Sequence, residues 1–395
     1  MSLPDLSQFP ELAWATALCL SWVLGEVLAR WAGLPRISSY ALCGFLAANF
    51  SGGLLNVAYH NSLLLLSNIG FGLILFELGY RINLLWLRRN PWLTLTGLAE
   101  ALLSFVAVFL IARWFGSEDL VALLLAALAM SSSPAGVLRI INEKKSAGQV
   151  SERVLHLAAL NCVLAVFLFK LIVAFWVVQK KGEILPAFSQ SLIILVASAS
   201  FGVVFGLILP WVLRRLLKPS HDTTLAFTFA IILLVVLTHA LRLSPILATL
   251  SFGLMARHRR LTLNQAQRNF GALGDLLTAL LFFYAASTLE WQRISQGIAL
   301  GAILILVRIS CKLSVCTGFA YLSGISIRKG FLTGLALTPI SVFVILMLEQ
   351  TRYIGISLLD ELAPLAAMTL LLDIVGPILT QRALVWANET PETKE

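Results

Sequence analysis

Residues 129–143 read AMSSSPAGVLRIINE, and residues 334–342 read GLALTPISV. Each stretch sets hydroxyl side chains, Ser131, Ser132 and Ser133 in the first and Thr338 and Ser341 in the second, around a proline, Pro134 or Pro339. Both lie in the middle of long apolar runs. A proline there removes a backbone hydrogen bond and clashes with the preceding turn. Irregular backbone at membrane depth survives only where protein or a wet cavity surrounds it. Either motif alone is compatible with a plain proline kink, since proline is common in membrane helices. Two at matched depth point to a pair of broken helices around a midplane binding site.

The surroundings of these motifs are hydrocarbon. Of 395 residues 59% are hydrophobic and 12% charged, where a soluble domain carries about 25% charged residues. The mean hydropathy of +0.89 leaves a bilayer as the solvent. With about 20 apolar residues per span, thirteen candidate spans begin near Leu12, Ile37, Asn61, Trp92, Asp119, Glu152, Ala187, Thr224, Ser244, Arg268, Ile294, Lys329 and Asp360. At residues 241–245 two short segments compete with one bent helix. The expected fold class is an all-α polytopic membrane protein of about 13 transmembrane helices. The two proline motifs fall in spans five and twelve, seven apart, so they run in opposite directions, as inverted repeats do.

Loop charge sets the orientation, because Lys and Arg collect on the cytoplasmic side. An outside N-terminus places 20 of the 29 Lys and Arg in cytoplasmic loops and 6 outside. The net charge of +9 comes in small clusters between apolar runs, which are topology signals and not a nucleic-acid-binding stripe. No Lys or Arg precedes Arg30, so no cleaved signal peptide is expected. A short polar tail, residues 388–395, is expected to follow a transmembrane domain of residues 1–387, with no regulatory module. Cys19, Cys43, Cys162, Cys311 and Cys316 all lie in apolar runs, giving neither a disulfide framework nor a C-x-x-C metal site. No metal or other cofactor is expected.

Charged residues inside the spans are costly and are functional hypotheses by default. Arg308 and Lys312 sit near the middle of span eleven, four residues apart and hence on one helix face. One of them is expected to face the site, the other reading being a structural charge held by backbone carbonyls. Two carboxyls lie at similar depth, Glu100 in span four and Asp373 in span thirteen. Glu26 with Arg30 and Glu77 with Arg81 are four apart near helix ends, where local pairing and snorkelling suffice. Asp275 and Glu349 are close enough to span ends to reach the interface, and Lys170 points away from the face of Asn161.

In the order and spacing of its motifs the sequence resembles the monovalent cation:proton antiporter superfamily, in particular its bacterial sodium/proton and potassium/proton exchangers. Residues 25–44 (GEVLARWAGLPRISSYALCG) are similar to that family's first helix hairpin, and residues 69–89 (IGFGLILFELGYRINLLWLRR) to its third span. Residues 129–143 and 334–342 resemble the two broken helices, and residues 243–254 (LSPILATLSFGL) another family stretch. The resemblance implies a panel for homodimer contact and a moving core, spans four to six and eleven to thirteen, approximately residues 92–179 and 294–385. It also implies a bacterial inner-membrane location, and a monovalent cation (Na⁺, K⁺ or Li⁺) and protons as partners.

The departure from the family lies in span six. Where family members carry an Asp-Asp or Asn-Asp pair, whose second aspartate binds the cation or proton, this chain has Asn161 and Cys162. A thiol is a poor ligand for a hard cation. Lys312 stands where electrogenic members keep the basic partner of that aspartate, so Glu100 or Asp373 is expected to replace the lost charge. The substrate site is then expected to use Asn161, Cys162, the three serines, Thr338 and Ser341. Two alternatives remain: an anion or organic-acid transporter drawn to unpaired positive charge, and a transport-inactive sensor or scaffold. An enzyme is not expected: Gly274 and Asp275 make only half of an intramembrane protease signature, no H-E-x-x-H occurs, and the five histidines are scattered.

Overall fold

The computed structural model describes residues 10–50, 60–179, 184–216, 223–259, 270–345, 347 and 362–391. They are all-helical, with fifteen helices and no strand among the described residues. In order these are α1 (Pro10–Ala32), α2 (Arg36–Phe50), α3 (His60–Arg81), α4 (Leu84–Arg89), α5 (Pro91–Trp114), α6 (Asp119–Ala129), α7 (Pro134–Glu143) and α8 (Gln149–Gln179). They continue as α9 (Ile184–Leu216), α10 (Thr223–Ala240), α11 (Pro245–His258), α12 (Gly271–Ser287), α13 (Trp291–Gly318), α14 (Ile327–Ala336) and α15 (Ala363–Trp386). Eight segments are long and apolar enough to cross a bilayer, and Thr224–Ala240 and Gly271–Ser287 are shorter apolar helices. The span starts assigned to Arg268 and Asp360, the acid Glu349 and the last four residues lie outside the described residues.

Two local features explain how the apolar runs divide. At residues 241–245 the chain forms two helices, not one bent helix: Arg242 adopts a left-handed φ of +56° and Ser244 caps α11, with Pro245 in its first turn. The serine-proline motif breaks its run completely, since α6 ends at Ala129 and α7 restarts at Pro134 with Ser133 as N-cap. In the second motif α14 ends at Ala336, the backbone is irregular through the proline, and helix resumes at residues 343–345.

The helices pack in two sets. In one, α11 lies on α3 and α9, α12 on α2 and α3, and α1 on α2. In the other, α13 is the hub, packing on α15, α14 and α5, with α5 on α6 and α6 on α8. Contacts of α8 with α9, α7 with α3, and α15 with α2 join them. Many side chains on the outer faces are large and apolar, among them Trp31, Leu102, Trp114 and Leu306, as a lipid-facing surface requires. The polar and charged groups described below are on the inside.

Past α15 the backbone turns at Asn388 (φ +56°) and lays Glu389 on the start of α8. The Glu389 carboxylate accepts the N–H groups of Val150 and Ser151 and the Ser151 hydroxyl, all at 2.8 Å, while Ala147 donates its N–H to the Glu389 carbonyl at 3.0 Å. First-turn N–H groups have no partner within their own helix, and the positive end of the helix dipole favours an anion there. Glu389 and Thr390 are buried by this docking. Glu389→Ala is expected to cost about 1–3 kcal/mol, the range for leaving a buried donor unsatisfied, seen as a lower thermal midpoint of the detergent-purified protein. Glu389→Gln should fall between the two.

Candidate functional site

The two breaks meet inside the bundle. The Ser133 N–H donates to the Pro339 carbonyl at 2.9 Å, and the Ser132 hydroxyl donates to the Leu337 carbonyl at 3.0 Å. Gly376 of α15 allows the close approach that seats Pro339, because a Cβ at that position would lie 2.7 Å from the Pro339 Cα. The carbonyl-rich ends of α6 and α14 therefore point at one small volume, and each carries the negative end of a helix dipole.

Arg308 fills that volume. Its guanidinium donates to the carbonyls of Ala129 and Ser131 (both 2.6 Å) on one break, and to those of Thr338, Pro339 (3.3 Å) and Leu337 (3.4 Å) on the other. The side chain is fully buried and forms no ion pair with a carboxylate among the described residues. This is the carbonyl-held arrangement: Arg308 neutralises and ties two half-helix ends that would otherwise leave unsatisfied carbonyls in hydrocarbon.

Lys312, one turn on, uses all three of its ammonium donors. It forms an ion pair with Glu100 of α5 and donates to the Ser132 hydroxyl (3.0 Å) and the Met130 carbonyl (3.2 Å). Both side chains are buried, at 0% and 1% exposure, so the pair sees no solvent. Glu100 reaches it because Gly97, one turn earlier, lets α5 lie close on α8; a Cβ there would come within 2.6 Å of Leu160 and 2.9 Å of Leu157. The second Glu100 oxygen accepts from the Asn161 amide at 2.7 Å, and that amide also reaches the Ser132 hydroxyl at 3.3 Å. Ser132 thus spends its one donor and both acceptor positions.

The other sequence candidates divide by what they touch. Ser131 bonds back to the Leu128 carbonyl at 2.7 Å, Ser133 caps α7 through the Gly136 N–H at 3.0 Å, and Thr338 bonds back to Leu335. The Asn161 Oδ1 and the Ser341 Oγ are buried oxygen atoms without a hydrogen-bond partner among the described residues. Cys162 is buried, its thiol among apolar neighbours. Asp373 is also buried, but it forms no ion pair or hydrogen bond with Lys312, and its Oδ2 has no partner among the described residues.

A cavity of about 850 Å³ opens where α1 ends and α2 begins, lined in part by Trp22, Glu26, Arg36, Tyr40, Arg139 and Asp275. Its charges are paired: Arg36 with Glu26 (2.9 Å) and, more loosely, Glu143 (3.9 Å), and Arg139 with Asp275 (2.8 Å). Loop counting treats Arg139 as a topology signal, yet it is nearly buried near the end of α7 and ties that half-helix to the start of α12, donating also to the Gly274 carbonyl at 2.6 Å. Glu77 pairs with Arg81 as its spacing implies, but at 1% exposure it lies deeper than a snorkelling acid and accepts from Asn142 of α7 at 2.8 Å. No sequence signal marks Asn142.

A family model described as the transmembrane sodium/hydrogen exchanger matches residues 15–386. The chain belongs to the sodium/hydrogen exchanger family. Among solved structures it is similar to the sodium proton antiporter MjNhaP1 from Methanocaldococcus jannaschii at pH 8, with 15% identity over 95% of this chain and 97% of that one and a TM-score of 0.63. An electron-microscopy map of the same antiporter gives 16% identity, 95% and 96% coverage, and a TM-score of 0.69. At these identities the likeness concerns the fold. None of the curated proteins matches the chain. The protein is therefore an integral membrane protein with the exchanger family's helical fold.

In this exchanger-family chain, removing one member of the buried pair leaves the other charge uncompensated. Lys312→Met and Glu100→Gln are each expected to cost about 3–5 kcal/mol, the range for a broken buried pair. The double variant Glu100→Gln/Lys312→Met should be less destabilised than the sum of the singles. Thermal midpoints of the four proteins in detergent check this; strict additivity would contradict the pairing.

Proposed function

We propose that the chain is a secondary transporter that exchanges a monovalent cation, Na⁺, K⁺ or Li⁺, for protons. The observation that carries this reading is the buried Glu100–Lys312 pair at the meeting point of two broken helices, in a chain of the sodium/hydrogen exchanger family. The name of the similar structure, a sodium proton antiporter, supports the same ion classes. In this reading thirteen spans cross the bacterial inner membrane with the N-terminus outside and the C-terminus in the cytoplasm. The 850 Å³ cavity then faces the cytoplasm, and residues 92–179 and 294–385 form a core that moves against a panel shared by two copies.

The coupling is non-standard, because position 162 offers a thiol where the family offers a carboxylate. Glu100, from the neighbouring helix, takes over as the partner of Lys312, and Asn161 holds the carboxylate in place. Arg308 keeps the two breaks together without contacting the ion. Oxygen donors suit a hard cation, and two buried ones, the Asn161 Oδ1 and the Ser341 Oγ, have no competing partner. Ser131, Ser132, Ser133 and Thr338 complete the polar wall around Pro134 and Pro339. An anion site would need positive charge to spare; Lys312 is matched by Glu100 and Arg308 by five carbonyls.

The test is flux. Purified protein in liposomes, with an imposed pH gradient and an internal pH dye, should collapse the gradient on addition of Na⁺, K⁺ or Li⁺, and Lys312→Ala and Glu100→Gln should abolish the response. Gradient collapse driven by chloride or a carboxylate without the cation would favour the anion reading, and no response to any ion would favour a scaffold.

A further inference from the structure

The Glu100–Lys312 pair leaves one membrane carboxyl unexplained. Asp373 lies near the middle of α15, is 2% exposed, and neither oxygen receives a hydrogen bond or an ion pair among the described residues. Among the described residues, the helices packed most closely on α15 are α13, α14, α2 and α7, and their charges are engaged elsewhere. On α13, Arg308 holds carbonyls, Lys312 holds Glu100, and Arg293 pairs with Glu290 at the helix start. On α14, Arg328 donates to the Trp386 carbonyl and Lys329 to Gln149. Arg36 of α2 pairs with Glu26, and on α7 Arg139 pairs with Asp275 while Glu143 lies 3.9 Å from Arg36. The remaining titratable groups on these faces, Tyr40, Cys43, Cys311 and Cys316, bring no positive charge.

The position of Asp373 is not peripheral. Gly376, three residues on and on the same face, seats Pro339 of the second break. That break carries Ser341, whose buried hydroxyl is also without a partner. On the other side, the Ser38 hydroxyl of α2 donates to the carbonyl of Ile374, the next residue, at 2.8 Å. The neighbouring side chains of that turn of α2, Ile37 and Tyr40, line the large cavity. A free carboxyl thus lies between the second break and the wall of the cavity.

We propose that Asp373 is the group that exchanges a proton for a monovalent cation, while Glu100 remains bound to Lys312 as fixed charge. The inference rests on the exchanger reading. A carboxylate without a counter-charge is costly in hydrocarbon, so the site holds either a proton or a cation. When the acid ionises, its O–H bond breaks and the proton leaves toward one side; a monovalent cation binds the same carboxylate and leaves toward the other. Each occupant carries one positive charge, and the Lys312 and Arg308 charges do not change. Exchange is therefore one for one and electrically silent.

The test uses full-length protein in the liposome assay, with Na⁺ or Li⁺ as the added ion and K⁺ equal on both sides. Asp373→Asn should abolish cation-dependent gradient collapse, and Asp373→Glu should restore part of it. No partner is lost in the Asn variant, so its thermal midpoint should be no lower than wild type; a sharp drop would mean a structural role and would overturn the proposal. Valinomycin, which clamps the potential, should leave the wild-type rate unchanged, and acceleration would overturn the one-for-one exchange. Exchange by Asp373→Asn at the wild-type rate would remove Asp373 from the site while leaving the exchanger reading intact. If wild type shows no flux, the exchanger reading fails separately, and binding decides: stabilisation by Na⁺ or Li⁺ in wild type but not in Asp373→Asn supports the carboxyl as a cation site, and equal behaviour overturns it.

Discussion

Two half-helices that end head to head inside a membrane present their carbonyls to each other with no water to receive them. Such a junction needs a buried cation, and Arg308 provides one with a donor set broad enough to reach both ends at once. A lysine ammonium has three donors on a point charge and could not span residues 129–131 and 337–339 together. Once Arg308 is fixed in this way, the geometry of α13 places Lys312 one turn further along the same face, beside Ser132 and Met130. A second buried cation then needs a carboxylate. The course of α5, close against α8 at Gly97, supplies Glu100 at that level. Break, arginine, lysine and glutamate form one chain of electrostatic necessity, and each step is costly if the one before it is absent.

Much of the fold was legible because a bilayer leaves few choices. Length and apolarity mark the runs, and prolines and charges mark their ends: α5 starts at Pro91 against an expected Trp92, α6 at Asp119 as expected, and α2 at Arg36 against Ile37. The two breaks were legible for a related reason, since Pro134 and Pro339 cannot continue an unbroken ladder. The pairing of the buried charges was not legible. Glu100 and Asp373 look alike in the sequence, each a single acid in an apolar run, and only the helix rotations bring the first to Lys312 and turn the second elsewhere. Glu389 gave no signal at all. Its role depends on Asn388 turning the chain back onto the start of α8, and a single left-handed residue in a polar tail has no pattern to read.

Lys312 takes its carboxylate from α5 and not from α8, where the Cys162 thiol lies among apolar neighbours. Glu100 reaches the Asn161 amide with its other oxygen. A carboxylate on α5 balances the charge beside the breaks, and an ammonium and an amide hold it. An acid held by a full ammonium and an amide, with no exposed surface, is poorly placed to trade its partner for an ion, because any exchange must first strand a lysine in hydrocarbon. A fold that keeps this pair intact and still moves a cation needs another anionic group that can be emptied and refilled without exposing a charge. In this chain a locked Glu100–Lys312 pair and, beside the second break, an acid without a partner among the described residues are parts of one electrostatic arrangement.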